Sequence, residues 1–308
     1  MARRADAGPL TQGAPTVRVA RPRTRASRRA WVGAAYAAPT AFMVGAFFVV
    51  PLGLVVWMSL HAWPLLGVPA LNAPDNYSGL GSNDLLRGAV TFTVKYTVII
   101  TVLLFLLSFG LALMVQHRRR GVGFLRTAFF LPAAVGFASA SLLFLGMLND
   151  EIGPFGGLHR GYVSWTSGSP DLALGSSVVL VLWRFAGFNM LILLTGLQAI
   201  PLEVYEAARI DGAGRWQLFR RITVPLMRPT IALVLTLMIT GSLLAFDQFW
   251  ILTRGGPDNS TTSLVMVIYR EAFIKLDLGS AAAISVVLLV VLVVVNVVQL
   301  GVLRRRSH

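Results

Sequence analysis

Long stretches of this chain carry no charge at all, and that feature leaves few folds open to it. No Asp, Glu, Lys or Arg occurs between Arg29 and Asp75. A bilayer core about 30 Å thick is crossed by roughly 20 residues of apolar helix. Six runs reach that length. They lie from about Trp31 to Leu60, between Arg87 and Arg118 with Lys95 inside, and between Arg126 and Asp150. The others run from about Leu172 to Ile200 with Arg184 inside, from Pro229 to Leu252 with Asp247 near the end, and from Leu278 to Leu303. Each run is continuously apolar rather than alternating and is far longer than a barrel strand requires, so these are helices. The expected fold is an all-α membrane protein with six transmembrane helices.

Composition agrees with this. Only 13% of residues are charged, against about 25% in an ordinary soluble domain. The net charge of +14 would point to nucleic acid if the cations formed one patch. They fall instead in short clusters between apolar runs, so a lipid bilayer and not a nucleic acid is the partner they imply. The chain has no cysteine, and its four histidines are scattered. It therefore offers no disulfide, no thiolate site and no metal-ligand spacing.

The cations also orient the chain. Of 27 Lys and Arg residues, 20 lie in the N-terminal tail, the loops after runs two and four, and the C-terminus. All of these share one side of a six-span arrangement. The bias toward the inside puts both termini in the cytoplasm, with Ser167 and Thr261 outside and Gln217 inside. The first run is too long for the 7 to 15 apolar residues of a cleaved signal peptide. Residues 1–30 mix Arg, Ala, Pro, Thr and Gly without apolar periodicity and are expected to be a disordered cytoplasmic tail. Residues 31–308 then form one membrane domain.

One stretch breaks the apolar pattern. Residues 206–225, EAARIDGAGRWQLFRRITVP, hold two acids and four arginines in the cytoplasmic loop spanning about 201–228. Ala207, Ile210, Ala213 or Gly214, Leu218 and Ile222 make a loose helical stripe. Asp211-Gly212 is a turn dipeptide that divides it, and Pro225 and Pro229 fit a bent entry into the next span. Two short charged helices have little to bury against each other, so they read as a docking element for another protein.

This stretch resembles the EAA motif of ABC importer permeases. The residues that carry the resemblance are Glu206, Ala207, Ala208, Asp211, Gly212, Ala213, Phe219, Ile222 and Pro225, with Val224 where the motif usually has Leu. GLQAIPLEVY at 196–205 and FDQFWILTRGGP at 246–257 look like the carbohydrate-uptake branch, the relatives of maltose and glycerol-3-phosphate permeases. The resemblance implies a type I ABC importer permease fold in a bacterial inner or plasma membrane. It also implies a second homologous permease subunit, two ATP-binding subunits and an extracytoplasmic substrate-binding protein. Glu206, Ala207, Ala208, Asp211, Gly212, Ala213, Phe219 and Pro225 would couple the chain to an ATPase, with Glu206 pairing a basic residue there. The chain has no GxxxxGK[ST] phosphate loop, so it is expected to have no catalytic residues and no cofactor of its own, ATP and Mg being held by the partners. The implied cargo is a sugar or polyol derivative, or alternatively glycerol-3-phosphate or a glycerophosphodiester. An ATP-independent carrier or channel would leave the docking loop unexplained.

Polar residues inside apolar spans mark candidate substrate contacts, because a charge in the bilayer costs about 2.5–3.5 kcal/mol on insertion scales. Arg184 and Asn189 in the fourth run and Ser242, Asp247 and Gln248 in the fifth are the candidates for a substrate path. Phe185, Phe246 and Trp250 could stack on a sugar, and Arg184 would suit a phosphate. The competing reading is that Arg184 and Asp247 form a structural ion pair or contact the outer interface, and Lys95 can snorkel to that interface.

Overall fold

The computed structural model describes residues 23–64, 67–117, 120–155 and 164–304. It divides into two compact units, Met1–Gly53 and Leu54–His308. In the first, α1 (Arg23–Val44) carries Pro39 inside it and continues through one π-helical turn, Gly45–Val49, toward α2 (Val50–Met58). Residues 1–22 of the tail expected to be disordered lie outside the described part. The rest of that tail is not irregular, since the helix already begins at Arg23. Arg and Ala are good helix formers, and adding residues to an existing helix is cheap once it is nucleated.

The second unit holds α3 (Ala73–Ser78), α4 (Asp84–Val115), α5 (Val122–Phe130), α6 (Phe137–Met147) and α7 (Pro170–Gln198). After these come α8 (Leu202–Ile210), α9 (Arg215–Leu218), α10 (Val224–Leu226), α11 (Arg228–Leu243), α12 (Leu264–Tyr269) and α13 (Leu278–Arg304). Four apolar segments are long enough to cross a membrane unbroken: Trp31–Met58, Asp84–Val115, Pro170–Gln198 and Leu278–Gln299. Side chains mark where three helices start. Asn83, Ser169 and Ser263 each accept a backbone N–H of the first turn, from Leu86, Leu172 and Met266, satisfying donors that a helix end leaves orphaned.

The third and fifth expected spans are not continuous helices. α5 and its 3-10 extension Leu131–Ala134 meet α6 at 93°. Pro132 brings no backbone donor, and Val135 and Gly136 are extended at the corner, with ψ of 133° and 143°. The segment Arg215–Leu226 meets α11 at 67°, between Pro225 and Pro229. α11 then stops at Leu243, short of the expected Leu252. Ala245 and Phe246 are irregular, and the chain re-coils into a π-helical turn over Phe249–Thr253. Asp247 and Gln248 therefore open the helical segment that follows a break, rather than lying in the interior of one continuous membrane helix.

The core joins α4, α7 and α11. Leu104, Phe109 and Val115 pack with Met190, Leu193 and Leu197 and with Met227, Val234 and Met238. A second cluster sets Tyr96 and Ile100 against Val178, Val181, Ala245 and Phe249. Gly187 is required where α5 crosses α7, because a methyl group there would collide with the backbone carbonyl of Phe129. Such small-residue contacts are how helices approach closely in lipid. At one end of the unit a two-stranded ribbon, β1 (His61–Ala62) and β2 (Ala70–Leu71), is held by Asn76, whose Nδ2 donates to the carbonyls of Ser59 and His61 at 2.9 and 3.0 Å.

Candidate functional site

Two regions of the second unit stand apart from its apolar packing. The first is the charged loop. α8 closes at Ile210 with the amides of Asp211, Gly212 and Ala213 bonded back to Ala207, Arg209 and Ala208 at 3.1, 3.0 and 2.9 Å. The turn needs Gly212, whose φ of +81° is costly for any side chain that branches at Cβ. α9 then starts at Gly214, whose N–H donates to Gln217 Oε1 at 3.0 Å. Tyr205 of α8 and Thr223 share a hydroxyl hydrogen bond of 3.1 Å, tying the first helix to the return segment.

The predicted coupling residues divide between two faces of this loop. Glu206, Ala207, Asp211 and Gly212 are exposed, and Ala208 and Ala213 are half-buried beside them. Phe219 and Pro225 are half-buried too, and Phe219 packs between Phe109 of α4 at 5.9 Å and Trp216 at 5.7 Å between rings. The apolar stripe expected along the loop does not hold either. Leu218 is buried, but Ile210 is 86% exposed, because the turn at Gly212 redirects the chain between them. Ile210 and Trp216, 68% exposed, form apolar projections on an otherwise charged surface. Sequence reasoning missed them, although an apolar residue flanking a turn dipeptide was a visible signal.

The second region is a cavity of about 260 Å³ between α4, α7 and the break after α11. It gathers four of the five predicted path residues: Asn189, Ser242, Asp247 and Gln248. Arg184 does not line it. Its guanidinium lies 4.9 Å from the centre of the neighbouring Phe185 ring, and its Nε is buried without a partner. Arg184 and Asp247 form no ion pair with each other. Lys95, whose side chain stays 59% exposed, reaches Asp171 at 4.0 Å. An exposed pair of this kind contributes about 0–1 kcal/mol.

The cavity wall is mostly apolar, with Tyr96, Asn189, Ser242, Asp247 and Gln248 as its polar residues. Gln248, 1% exposed, donates from Nε2 to the Tyr96 hydroxyl at 3.1 Å while its Oε1 has no partner. Ser242 donates to Ile239 O and meets Thr97 Oγ1, and Asn189 Nδ2 donates to Phe185 O at 2.9 Å. The Asp247 carboxylate, half-buried, makes no hydrogen bond or ion pair to any described residue. The Asp247 carboxylate thus lines the cavity as an acceptor left for a ligand or water, while the Gln248 oxygen is buried without a partner. Tyr96 was missed as a wall residue because an aromatic in an apolar helix carries no signal of its own.

Residues 97–308 match the family model described as binding-protein-dependent transport system inner membrane component. The chain is 33% identical to the multiple sugar-binding transport system permease protein MsmF of Streptococcus mutans, over 73% of this chain and 79% of that protein. It is also 33% identical to the sn-glycerol-3-phosphate transport system permease protein UgpA of Agrobacterium fabrum, over 88% and 94%. Among solved structures, a bacterial ABC transporter that imports the acidic polysaccharide alginate superposes with a TM-score of 0.78 over 92% of this chain and 98% of that one. At 22% identity that likeness speaks for the fold.

Proposed function

Because the chain belongs to the inner-membrane components of binding-protein-dependent transport systems, we propose that it is the permease subunit of an ATP-driven importer for a sugar or polyol derivative. It sits in a bacterial inner or plasma membrane. It works with a second homologous permease, two ATP-binding subunits and an extracytoplasmic substrate-binding protein. ATP and Mg belong to the ATP-binding subunits, and this chain contributes no catalytic residue. The observation that carries the reading is the exposed loop of α8 and α9, whose Glu206, Ala207, Asp211 and Gly212 project beside Ile210 and Trp216. A charged surface with apolar projections is what a protein partner would cover.

In this reading α8 and α9 seat on the ATPase, and Phe219 and Pro225 transmit its movement to α4 and α11. Asn189, Ser242, Asp247 and Gln248 line the path of the substrate. Alternating access is a shift between two bundle arrangements, biased by nucleotide on one side and by the binding protein on the other. The UgpA relative keeps glycerol-3-phosphate as a second reading of the cargo. Uptake into proteoliposomes holding the complete importer tests the proposal. Accumulation should require both internal ATP and the external binding protein, and accumulation without ATP would refute it.

The loop must also face the cytoplasm, with both termini on that side. Thr261 is fully buried and unsuited to labelling, whereas Ser167 and Gln217 are exposed. In intact cells an impermeant maleimide should label Ser167→Cys and spare Gln217→Cys. Labelling at Gln217→Cys would invert the topology.

A further inference from the structure

The charged loop has a second side. Between it and the ends of α4 and α7 lies a cavity of about 630 Å³. Leu202, Tyr205 and Arg209 of α8 line it, and their spacing puts them on one helix face. Glu203, Glu206 and Ile210 do not line the cavity. The arginine of α8 thus belongs to the cavity wall and its acids do not. Arg215 of α9 adds a second guanidinium, and His117, just past the end of α4, adds an imidazole. No Asp or Glu lines this cavity. In the sequence Arg118, Arg119 and Arg120 follow His117 directly.

Neither arginine finds its counter-charge within the chain. Arg209 and Arg215 make no ion pair and no side-chain hydrogen bond to any described residue. A cleft lined by one sign of charge with apolar walls concentrates the opposite ion, and Leu113 of α4 and Leu197 of α7 supply such walls here. Gln116 and Gln198 bring amide donors to the same cavity. A guanidinium binds phosphate through two parallel N–H bonds, and one phosphate group has oxygens enough for two arginines. Basic pockets at the cytoplasmic ends of membrane helices hold the phosphates of lipid headgroups in this way. The same donors suit a phosphate free in the cytoplasm.

We propose that the cavity behind the α8–α9 loop binds an anionic phosphate group from the cytoplasmic side, held by Arg209 and Arg215. The inference takes the cytoplasmic placement of the loop from the transport reading above, but its test needs neither ATP nor uptake. Gln198 lines the cavity and is exposed, and the chain has no cysteine. Gln198→Cys therefore gives one reporter thiol. Its modification by N-ethylmaleimide, an uncharged reagent, is followed by the mass of this chain. The assembled core of two permeases and two ATP-binding subunits is used in dodecyl maltoside. The probes are inorganic phosphate and phosphatidylglycerol. The controls are sodium chloride at matched ionic strength and phosphatidylcholine. At least one probe should slow modification fivefold or more beyond its control, in a saturable way, while Ser167→Cys reacts unchanged. Protection by phosphatidylglycerol alone assigns the site to a lipid headgroup, and protection by inorganic phosphate assigns it to a free phosphate. Adding Arg209→Gln with Arg215→Gln should remove the protection. If that pair fails to co-purify with the ATP-binding subunits, each single substitution should weaken protection at least threefold. No protection by either probe overturns the inference. So does equal protection by the controls, or protection that survives loss of the arginines. An importer that takes up substrate without any such protection refutes this inference alone. A core that shows the protection but never imports refutes only the transport reading.

Discussion

Gly212→Pro is expected to leave the chain inserted in the membrane and to abolish binding-protein-stimulated ATP hydrolysis. Proline fixes φ near −65°, whereas Gly212 stands at +81°, and it removes the N–H that donates to Arg209 O at 3.0 Å. A misplaced proline costs about 3 kcal/mol or more, and each 1.4 kcal/mol is about tenfold in occupancy, so productive seating should fall more than a hundredfold. The damage stays local, since the turn is exposed and contributes no residue to the packed cluster of α4, α7 and α11. Gly212→Asn separates loop geometry from expression, because asparagine tolerates left-handed backbone. It should retain most of the stimulated activity. Glu206→Lys reverses an exposed charge and should lose stimulation while preserving the turn. Normal stimulation in Gly212→Pro would remove the loop from coupling.

Asp247→Asn should cut uptake tenfold or more while basal ATP hydrolysis stays within about twofold. A hydrogen bond to a charged partner contributes about 1.5–3 kcal/mol, and this carboxylate lines the cavity with no partner among the described residues. A purely structural role predicts something else, namely poor expression or a lower melting temperature. Since Arg184 and Asp247 do not pair, Arg184→Gln should not rescue Asp247→Asn. Unchanged uptake kinetics in well-expressed Asp247→Asn would exclude this residue from the path.

The four unbroken spans are legible in the sequence because nothing but a helix satisfies the backbone of a long uncharged run in lipid. The two broken spans are not. A hydrophobicity reading averages over a corner, and Val135-Gly136 and Ala245-Phe246 are as apolar as the helices beside them. Pro132 and Gly136 marked the first corner, while the end of α11 at Leu243 has no proline to announce it. The charged loop is legible through Asp211-Gly212, whose turn does form there. Its two faces are not, because the stripe from Ala207 to Ile222 assumed one continuous helix axis. The cavity residues could be nominated from their cost in lipid, yet the rotation of α7 could not. Successive helix residues differ by about 100°, and packing turns Phe185 and Asn189 to the cavity and leaves Arg184 off its wall.

The account stands on contact between the α8–α9 turn and an ATP-binding subunit. The chain has no cysteine of its own, so a single one placed at Ile210, 86% exposed, reports contact without background. In the assembled importer, Ile210→Cys carrying a photoactivatable maleimide should cross-link to the ATP-binding subunit, while Ser167→Cys, labelled in the same way, should not. The account predicts that the cross-link at Ile210→Cys vanishes when Gly212→Pro is added. Absence of any product at Ile210→Cys in an importer that hydrolyses ATP normally would contradict it.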